Sequence, residues 1–200
     1  MLLLASSSAR RLILLRNWGF QPQVIEVSVT EILDPNTDPR EWVKILAERK
    51  ALAGLAAWQK IGSRPEDIVL GADTIVVWEQ QILGKPKTEA EARKMLQMLS
   101  GQQHVVLTGV ALLRLTGEKE VAVVETKVKF RRLSPAQIKD YVASGEPMDK
   151  AGAYAIQGGA REFVESYSGS LTNVIGLPME YVSAKLKTWG TTDECTKIKV

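Results

Sequence analysis

The chain opens on Leu2-Leu3-Leu4-Ala5, an unbroken apolar run that ends at three serines, and this predicts a short buried strand. From Ala9 to Trp18 the apolar residues Leu12, Ile13, Leu14, Leu15 and Trp18 fall at mostly helical spacing, so a helix follows, with the serines at the join. Gln23 to Val29 reads as a second extended stretch and Asp34-Pro35-Asn36-Thr37 as a turn. Asp38-Pro39-Arg40-Glu41 then supplies an N-cap, a proline at the first helical position and a glutamate to complete a capping box. The helix begun there should run to about Trp58 and bury Trp42, Ile45, Leu46, Ala53 and Leu55.

Ile68 to Trp78 is apolar and β-branched almost throughout, the pattern of a central strand covered on both faces, and Asp73 interrupts it. A second capping box, Thr88-Glu89-Ala90-Glu91, announces a helix that carries Ala92, Met95, Leu96 and Leu99 and stops at Ser100-Gly101. His104 to Leu115 and Glu120 to Leu133 are two long strands whose short polar connection predicts an antiparallel hairpin. Ser134-Pro135-Ala136-Gln137 caps a helix reaching about Ser144, a Gly-rich stretch spans Ala151 to Ala160, and a strand lies near Phe163 to Ser166. The last helix follows Leu177-Pro178, and residues 191–200 read as a polar tail. No repeat or linker divides the chain. Strand–helix units at both ends of a central hairpin predict an α/β protein with a mixed, strongly twisted sheet flanked by helices, in one domain over residues 1–190 with room for two lobes.

Composition narrows the chemistry. The 26 Lys and Arg against 23 Asp and Glu leave a net charge of +3, too slight to name a polyanionic partner. One cysteine, Cys195, cannot form an internal disulfide, and one histidine, His104, cannot supply a multi-histidine zinc site or, without a nucleophile elbow, a serine-hydrolase base. The apolar start is too short for a signal core and nothing approaches a membrane span, so a cytoplasmic protein without a membrane partner is expected.

The candidate chemistry is local. Ser6, Ser7 and Ser8 turn the chain from strand to helix, and Arg10 and Arg11 follow with no acid until Glu26. Arginines in a first turn oppose the helix dipole, so a polyphosphate partner is favoured over a plain serine cap. Asp73 in Gly71-Ala72-Asp73-Thr74 is either a hydrogen-bonded core carboxylate or, beside phosphate, a ligand for Mg²⁺. Glu31 is a loop glutamate or a second metal carboxylate. Lys85, between Gly84 and Pro86, is an anion contact or an exposed turn lysine, and Lys50, inside the long helix, belongs by default to a solvated face. Gln157, in Ala155-Ile156-Gln157-Gly158-Gly159, offers an amide to a base edge or a water, or belongs to a plain turn. The alternation Lys127-Val128-Lys129-Phe130-Arg131 suits a nucleic-acid face, but lysines on one face of a solvated or edge strand explain it equally well and more often.

Taken in order, LASSSARR at 4–11, ERKA at 48–51, GADT at 71–74, GKP at 84–86, LSG at 99–101, EPMDKAGAYAIQG at 146–158 and IGLPM at 175–179 resemble the Maf family of nucleoside triphosphate pyrophosphatases. The resemblance implies an α/β fold with an elongated mixed sheet, similar to the inosine triphosphate pyrophosphatases, usually as a homodimer. It also implies cleavage of a nucleoside triphosphate to the monophosphate and pyrophosphate with Mg²⁺ or Mn²⁺. By this resemblance Ser6, Arg10 and Arg11 bind phosphate, Asp73 and Glu31 meet the metal, Lys50 and Lys85 stabilise developing charge, and Gln157 lines the base pocket or orients water. Ala9 stands where many members have proline, which removes no functional group. GADT with DKAGAYAIQG is similar to the branch acting on dTTP and UTP rather than on 7-methyl-GTP. A nucleotide-binding regulator of cell division without turnover is the competing expectation; a stable nucleic-acid partner is not expected.

Overall fold

The computed structural model of the chain describes residues 1–62 and 64–190, so the anticipated tail and Cys195 lie outside the described residues. Seven strands form one mixed sheet in the order β2-β1-β3-β5-β6-β7, with β4 paired to β3. They are β1 (Leu2–Ala5), β2 (Gln23–Ile25), β3 (Ile68–Trp78), β4 (Gln81–Leu83), β5 (Gln103–Arg114), β6 (Lys119–Phe130) and β7 (Val164–Ser168). The helices are α1 (Ala9–Asn17), α2 (Pro39–Gln59), α3 (Glu89–Leu99), α4 (Pro135–Ala143), α5 (Leu171–Ile175) and α6 (Met179–Thr188). The expected α/β class with a mixed sheet is therefore present. The chain divides into two compact units, the first holding residues 1–73, 108–124 and 176 onward, the second 74–107 and 125–175.

In the first unit β1 pairs in parallel with β2 on one side and β3 on the other, Leu3 lying opposite both Gln23 and Val69. Leu3, Ala5, Ile25, Ala47, Ala51, Trp58, Val69, Ala111 and Leu113 form its core. Helix α2 lies directly on backbone. A Cβ at Gly71 would come within 2.3 Å of the Ala47 carbonyl oxygen, one at Gly109 within 2.1 Å of the Val43 carbonyl oxygen, and one at Gly54 within 2.7 Å of Ala5 Cβ. Only small residues fit such a contact, so the helix seats Ala47, Ala51 and Gly54 with Val43, Leu46 and Trp58. Of the stripe expected from periodicity only Leu46 is fully buried; Trp42, Ile45, Ala53 and Leu55 flank the contact. Asp67 is buried, which raises its carboxyl, but the Met1 ammonium at 2.9 Å, Trp58 Nε1 at 2.7 Å and the Arg64 N–H at 2.9 Å donate to it, and these bonds with the ammonium's charge hold it below the usual range.

In the second unit β4 runs antiparallel to the end of β3, with Val76 opposite Leu83, and β7 runs antiparallel to β6. Helices α3 and α4 cover a core that includes Leu96, Leu99, Ile138, Phe130, Tyr154 and Phe163. His104 sits inside it at 1% exposure, its Nε2 2.8 Å from Tyr154 Oη and its ring edge-on to Phe130 at 4.9 Å. Burial without a compensating acid lowers the imidazole to about 4.

Several boundaries depart from expectation for physical reasons. The alternation after Ile25 looks strand-like, but β2 pairs only with the four-residue β1 and the ladder ends at Ala5 opposite Ile25. Strand β6 stops at Phe130, not Leu133, because a register shift there turns the Arg131 N–H to the Phe163 carbonyl at 2.8 Å. At Asp38 the side chain caps the Arg40 N–H at 2.8 Å while Glu41 pairs with Lys44, so no reciprocal box forms. The Thr88 box is half made: Thr88 accepts from the Glu91 N–H, but the Glu91 carboxylate takes the Lys87 N–H. At Ser134 and Gln137 both bonds close, at 3.2 and 2.9 Å. Helix α5 and the 3₁₀ turns over Glu146–Asp149, Ala151–Ala153 and Gly159–Phe163 had no periodic signal.

Two stability outcomes follow. Gly109→Ala should cost roughly 2–3 kcal/mol and lower the thermal midpoint by about 5–10 °C, whereas Gly84→Ala, which meets nothing within 4 Å, should not; thermal denaturation compares them. Between pH 6.5 and about 4 the unfolded chain binds a proton at His104 that the folded chain refuses, so stability falls as pH falls through that window. Urea titrations across it should show a shallower loss in His104→Gln than in the native sequence.

Candidate active site

The chemistry of the first unit gathers where α2 touches the sheet. Gly71 lies under Ala47 and Ala51, and the contact brings Lys50, one residue before Ala51, over Asp73, two residues beyond Gly71 on β3. Lys50 Nζ stands 2.7 Å from Asp73 Oδ1 and 2.8 Å from Glu31 Oε1, one ammonium shared by two carboxylates. Lys50 and Asp73 are 14% and 11% exposed at their side chains and Glu31 is 62% exposed, so the cluster has a covered floor and an open rim. The loop carrying Glu31 is fixed by the preceding helical residue: Arg49 Nη1 donates to the Thr30 carbonyl at 2.8 Å and approaches that of Ile32 at 3.4 Å.

At the end of β1 the chain turns through Ser6, which is buried and accepts the Ser8 N–H at its Oγ over 3.1 Å. Ser8 occupies the N-cap of α1 without a side-chain cap bond, and the first turn holds no acid. Arg11 folds back, donating from Nη1 to Ser6 Oγ at 3.3 Å and from Nε to the Gly176 carbonyl at 2.8 Å. Burial lowers its pKa, Asp73 opposes that, neighbouring Arg10 lowers it further, and Glu31 raises it. Both arginines are half-buried, and Arg11 lies in the field of the Asp73 and Glu31 carboxylates.

Ser6, Arg10, Arg11, Glu31, Lys50 and Asp73 thus belong to the first unit, where three contacts tie Ser6 to Arg11 and Lys50 to both acids. Lys85 and Gln157 belong to the second unit. Lys85 follows Gly84, whose carbonyl accepts the Gly152 N–H at 3.1 Å, and Gln157 is exposed on the Gly-rich segment. The sequence reading assigned no role to Gly71, which admits α2, to Gly176, whose carbonyl orients Arg11, or to Arg49, which holds the Glu31 loop, although the GADT, IGLPM and ERKA motifs contained them. The Lys127–Arg131 alternation does not lie on an edge strand, because β6 sits between β5 and β7 and residues 127–130 pair with β7; Lys129 Nζ donates to the Gly101 carbonyl at 2.7 Å.

The donor set suits a hard cation. Among the described residues no group of three or more His, Cys, Asp or Glu converges, but Asp73 and Glu31 present two carboxylates to one cationic position, where Mg²⁺ typically uses one or two protein carboxylates and otherwise phosphate and water. Removing the shared ammonium leaves Asp73 covered and without its 2.7 Å lysine partner. Lys50→Met should therefore lose roughly 2–4 kcal/mol, and Lys50→Met with Asp73→Asn should regain part of it in a thermal-denaturation double-mutant cycle.

A family model described as "Maf-like protein" matches residues 1–189. Among similar proteins, a "dTTP/UTP pyrophosphatase" of Desulfitobacterium hafniense (strain Y51) is 55% identical over 190 residues, 95% of this chain and 86% of that protein. One of the same name from Symbiobacterium thermophilum (strain DSM 24528 / JCM 14929 / IAM 14863 / T) is 50% identical over 190 residues, 94% of each chain. Another from Geobacillus sp. (strain WCH70) is 46% identical over 189 residues, 94% and 98% of the two chains. A solved nucleoside-triphosphatase / dITP/XTP pyrophosphatase of Mycobacterium abscessus ATCC 19977 / DSM 44196 aligns over 93% of each chain at 13% identity and a TM-score of 0.42, too loose to bear on the argument. With a family match across nearly its whole length and relatives identical at half their positions, the chain belongs to the Maf family.

Proposed function

We propose that the chain hydrolyses nucleoside triphosphates, dTTP and UTP foremost, to the monophosphate and pyrophosphate. The observation that carries this is the lysine shared by Asp73 and Glu31 in the same unit as the Ser6–Arg11 contact, in a chain whose relatives are named for that activity. Water attacks the α-phosphorus; a new P–O bond forms, the bond from that phosphorus to the α,β-bridging oxygen breaks, and pyrophosphate leaves with the bond's electrons. Asp73 orients the water and accepts its proton, which then passes to solvent. Arg10 and Arg11, with the Ser6 hydroxyl and the N–H groups at the start of α1, hold the β and γ phosphates. Lys50 moves from its carboxylates toward charge developing on the phosphoryl oxygens. Lys85 is assigned the same kind of charge stabilisation and Gln157 an amide contact to the base, with a water as its alternative partner.

Asp73 and Glu31 would hold a divalent ion, Mg²⁺ or Mn²⁺. Bound there, such an ion supplies Lewis-acid neutralisation of phosphoryl charge and a more acidic water. The same reading carries a homodimer working in the cytoplasm on free nucleotides, without a stable nucleic-acid partner. Among the described residues no helix is long and apolar enough to cross a membrane.

Pyrophosphate release from dTTP and UTP, assayed with Mg²⁺ and with chelator, tests the assignment. Asp73→Asn should lower kcat by about a hundredfold or more at an unchanged fold, and Arg11→Ala should raise KM for dTTP by roughly tenfold. Full activity in Asp73→Asn, or nucleotide binding without turnover in the native chain, would refute the hydrolase and favour a regulator.

A further inference from the structure

Gln157 is presented by a segment of the second unit that is anchored on both sides of it. On one side the Ala155 N–H donates to Tyr141 Oη at 3.1 Å; on the other the Gly159 N–H donates to Glu146 Oε2 at 3.1 Å. The two anchors are joined, since Tyr141 Oη–H donates to Glu146 Oε1 at 2.9 Å. Ile156 turns inward at 8% exposure while Gln157 turns out. Gly158 lies against the carboxylate so closely that a Cβ there would stand 2.1 Å from Glu146 Oε1.

The anchors are themselves held. Tyr141 is buried on α4 with its ring edge-on to Phe163 at 5.1 Å. The Glu146 N–H donates to Ser144 Oγ at 3.2 Å, and its carbonyl accepts from Lys150 Nζ at 2.8 Å. Burial and the adjacent Glu146 carboxylate raise the Tyr141 phenol, so it remains a donor at neutral pH. A buried phenol and a carboxylate that spend their bonds on the residues two before and two after one exposed amide restrict where that amide can point.

We propose that Tyr141 and Glu146 are positioning residues for nucleobase recognition, fixing the Gln157 amide through the backbone on either side of it. This rests on the proposed hydrolysis of nucleoside triphosphates and on the assignment of Gln157 to the base. An amide recognises a base edge through directional bonds, and a segment free to swing must be ordered on binding, which costs affinity for the nucleotide but not for a ligand without a base.

The test is steady-state kinetics with dTTP, inhibition by inorganic tripolyphosphate, and calorimetric binding of non-hydrolysable α,β-methylene-dTTP. The variants are Tyr141→Phe, Glu146→Ala, Glu146→Gln, Gln157→Ala and Glu146→Ala with Gln157→Ala. Tyr141→Phe and Glu146→Ala should raise KM for dTTP and weaken analogue binding by about fivefold or more while kcat stays within about twofold and tripolyphosphate inhibition is unchanged. Glu146→Gln, which keeps an acceptor oxygen, should recover part of the loss, and the double variant should bind no worse than Gln157→Ala alone. A fall in kcat at constant KM, a parallel loss of tripolyphosphate affinity, or additive losses in the double variant would overturn the proposal. Weakened analogue binding in Gln157→Ala with native affinity in Tyr141→Phe and Glu146→Ala would overturn it while leaving the proposed function standing. An unaffected Gln157→Ala would remove the base assignment and the proposal together. Absence of turnover in the native chain would refute the hydrolase alone, since analogue binding still ranks the variants.

Discussion

The contact on which the first unit depends is the one between α2 and the sheet backbone. Gly71 and Gly109 leave no side-chain layer between the helix and the strands beneath it, and Gly54 brings the same helix down on Ala5. This proximity turns a long helix into a ruler for the site. A lysine on a helix packed at the usual distance over side chains would have to reach across a residue's width to meet a strand carboxylate. Here Lys50 meets Asp73 at 2.7 Å with its stem covered. Packing and chemistry are therefore one constraint: the small residues that let the helix descend are neighbours in sequence of the charged residues that the descent brings together.

Much of this was legible in the chain. The buried strand at the start, the capped helices, the central strand and the hairpin followed from period and punctuation; the residue types at Ser6, Arg11 and Asp73 marked them as candidates, whereas Lys50 by position alone belonged to a solvated helix face. The bridging of Asp73 and Glu31 by one lysine was not legible, because it depends on the register between a helix and a strand some twenty residues apart in sequence, which hydrophobic pattern does not encode. Periodicity also misjudged the face of α2. It weights large apolar residues, whereas a helix resting on glycine backbone selects alanine and glycine for its innermost line. The expectation of an extended stretch reaching Val29 has a similar origin: a strand needs a partner, and β1 supplies only four residues of one, so β2 ends at Ile25.

The two units solve the problem of holding polar groups differently. In the first, charges neutralise each other directly, and the arrangement is held from above by a helix. In the second, the polar side chains around Gln157 spend themselves on backbone N–H groups, so that a Gly-rich stretch with little intrinsic order acquires a defined path. Gly158 belongs to that solution because any side chain there would displace the carboxylate.

His104 has one more consequence. It is the chain's sole histidine, enclosed at 1% exposure among aromatic rings of the second unit. Ring currents from Phe130 and Tyr154 should displace its imidazole proton resonances from their free positions, and no other histidine signal overlaps them. The protein therefore carries a native spectroscopic reporter, one that would follow the opening of that core, residue-specifically and without any label, while nucleotide chemistry proceeds.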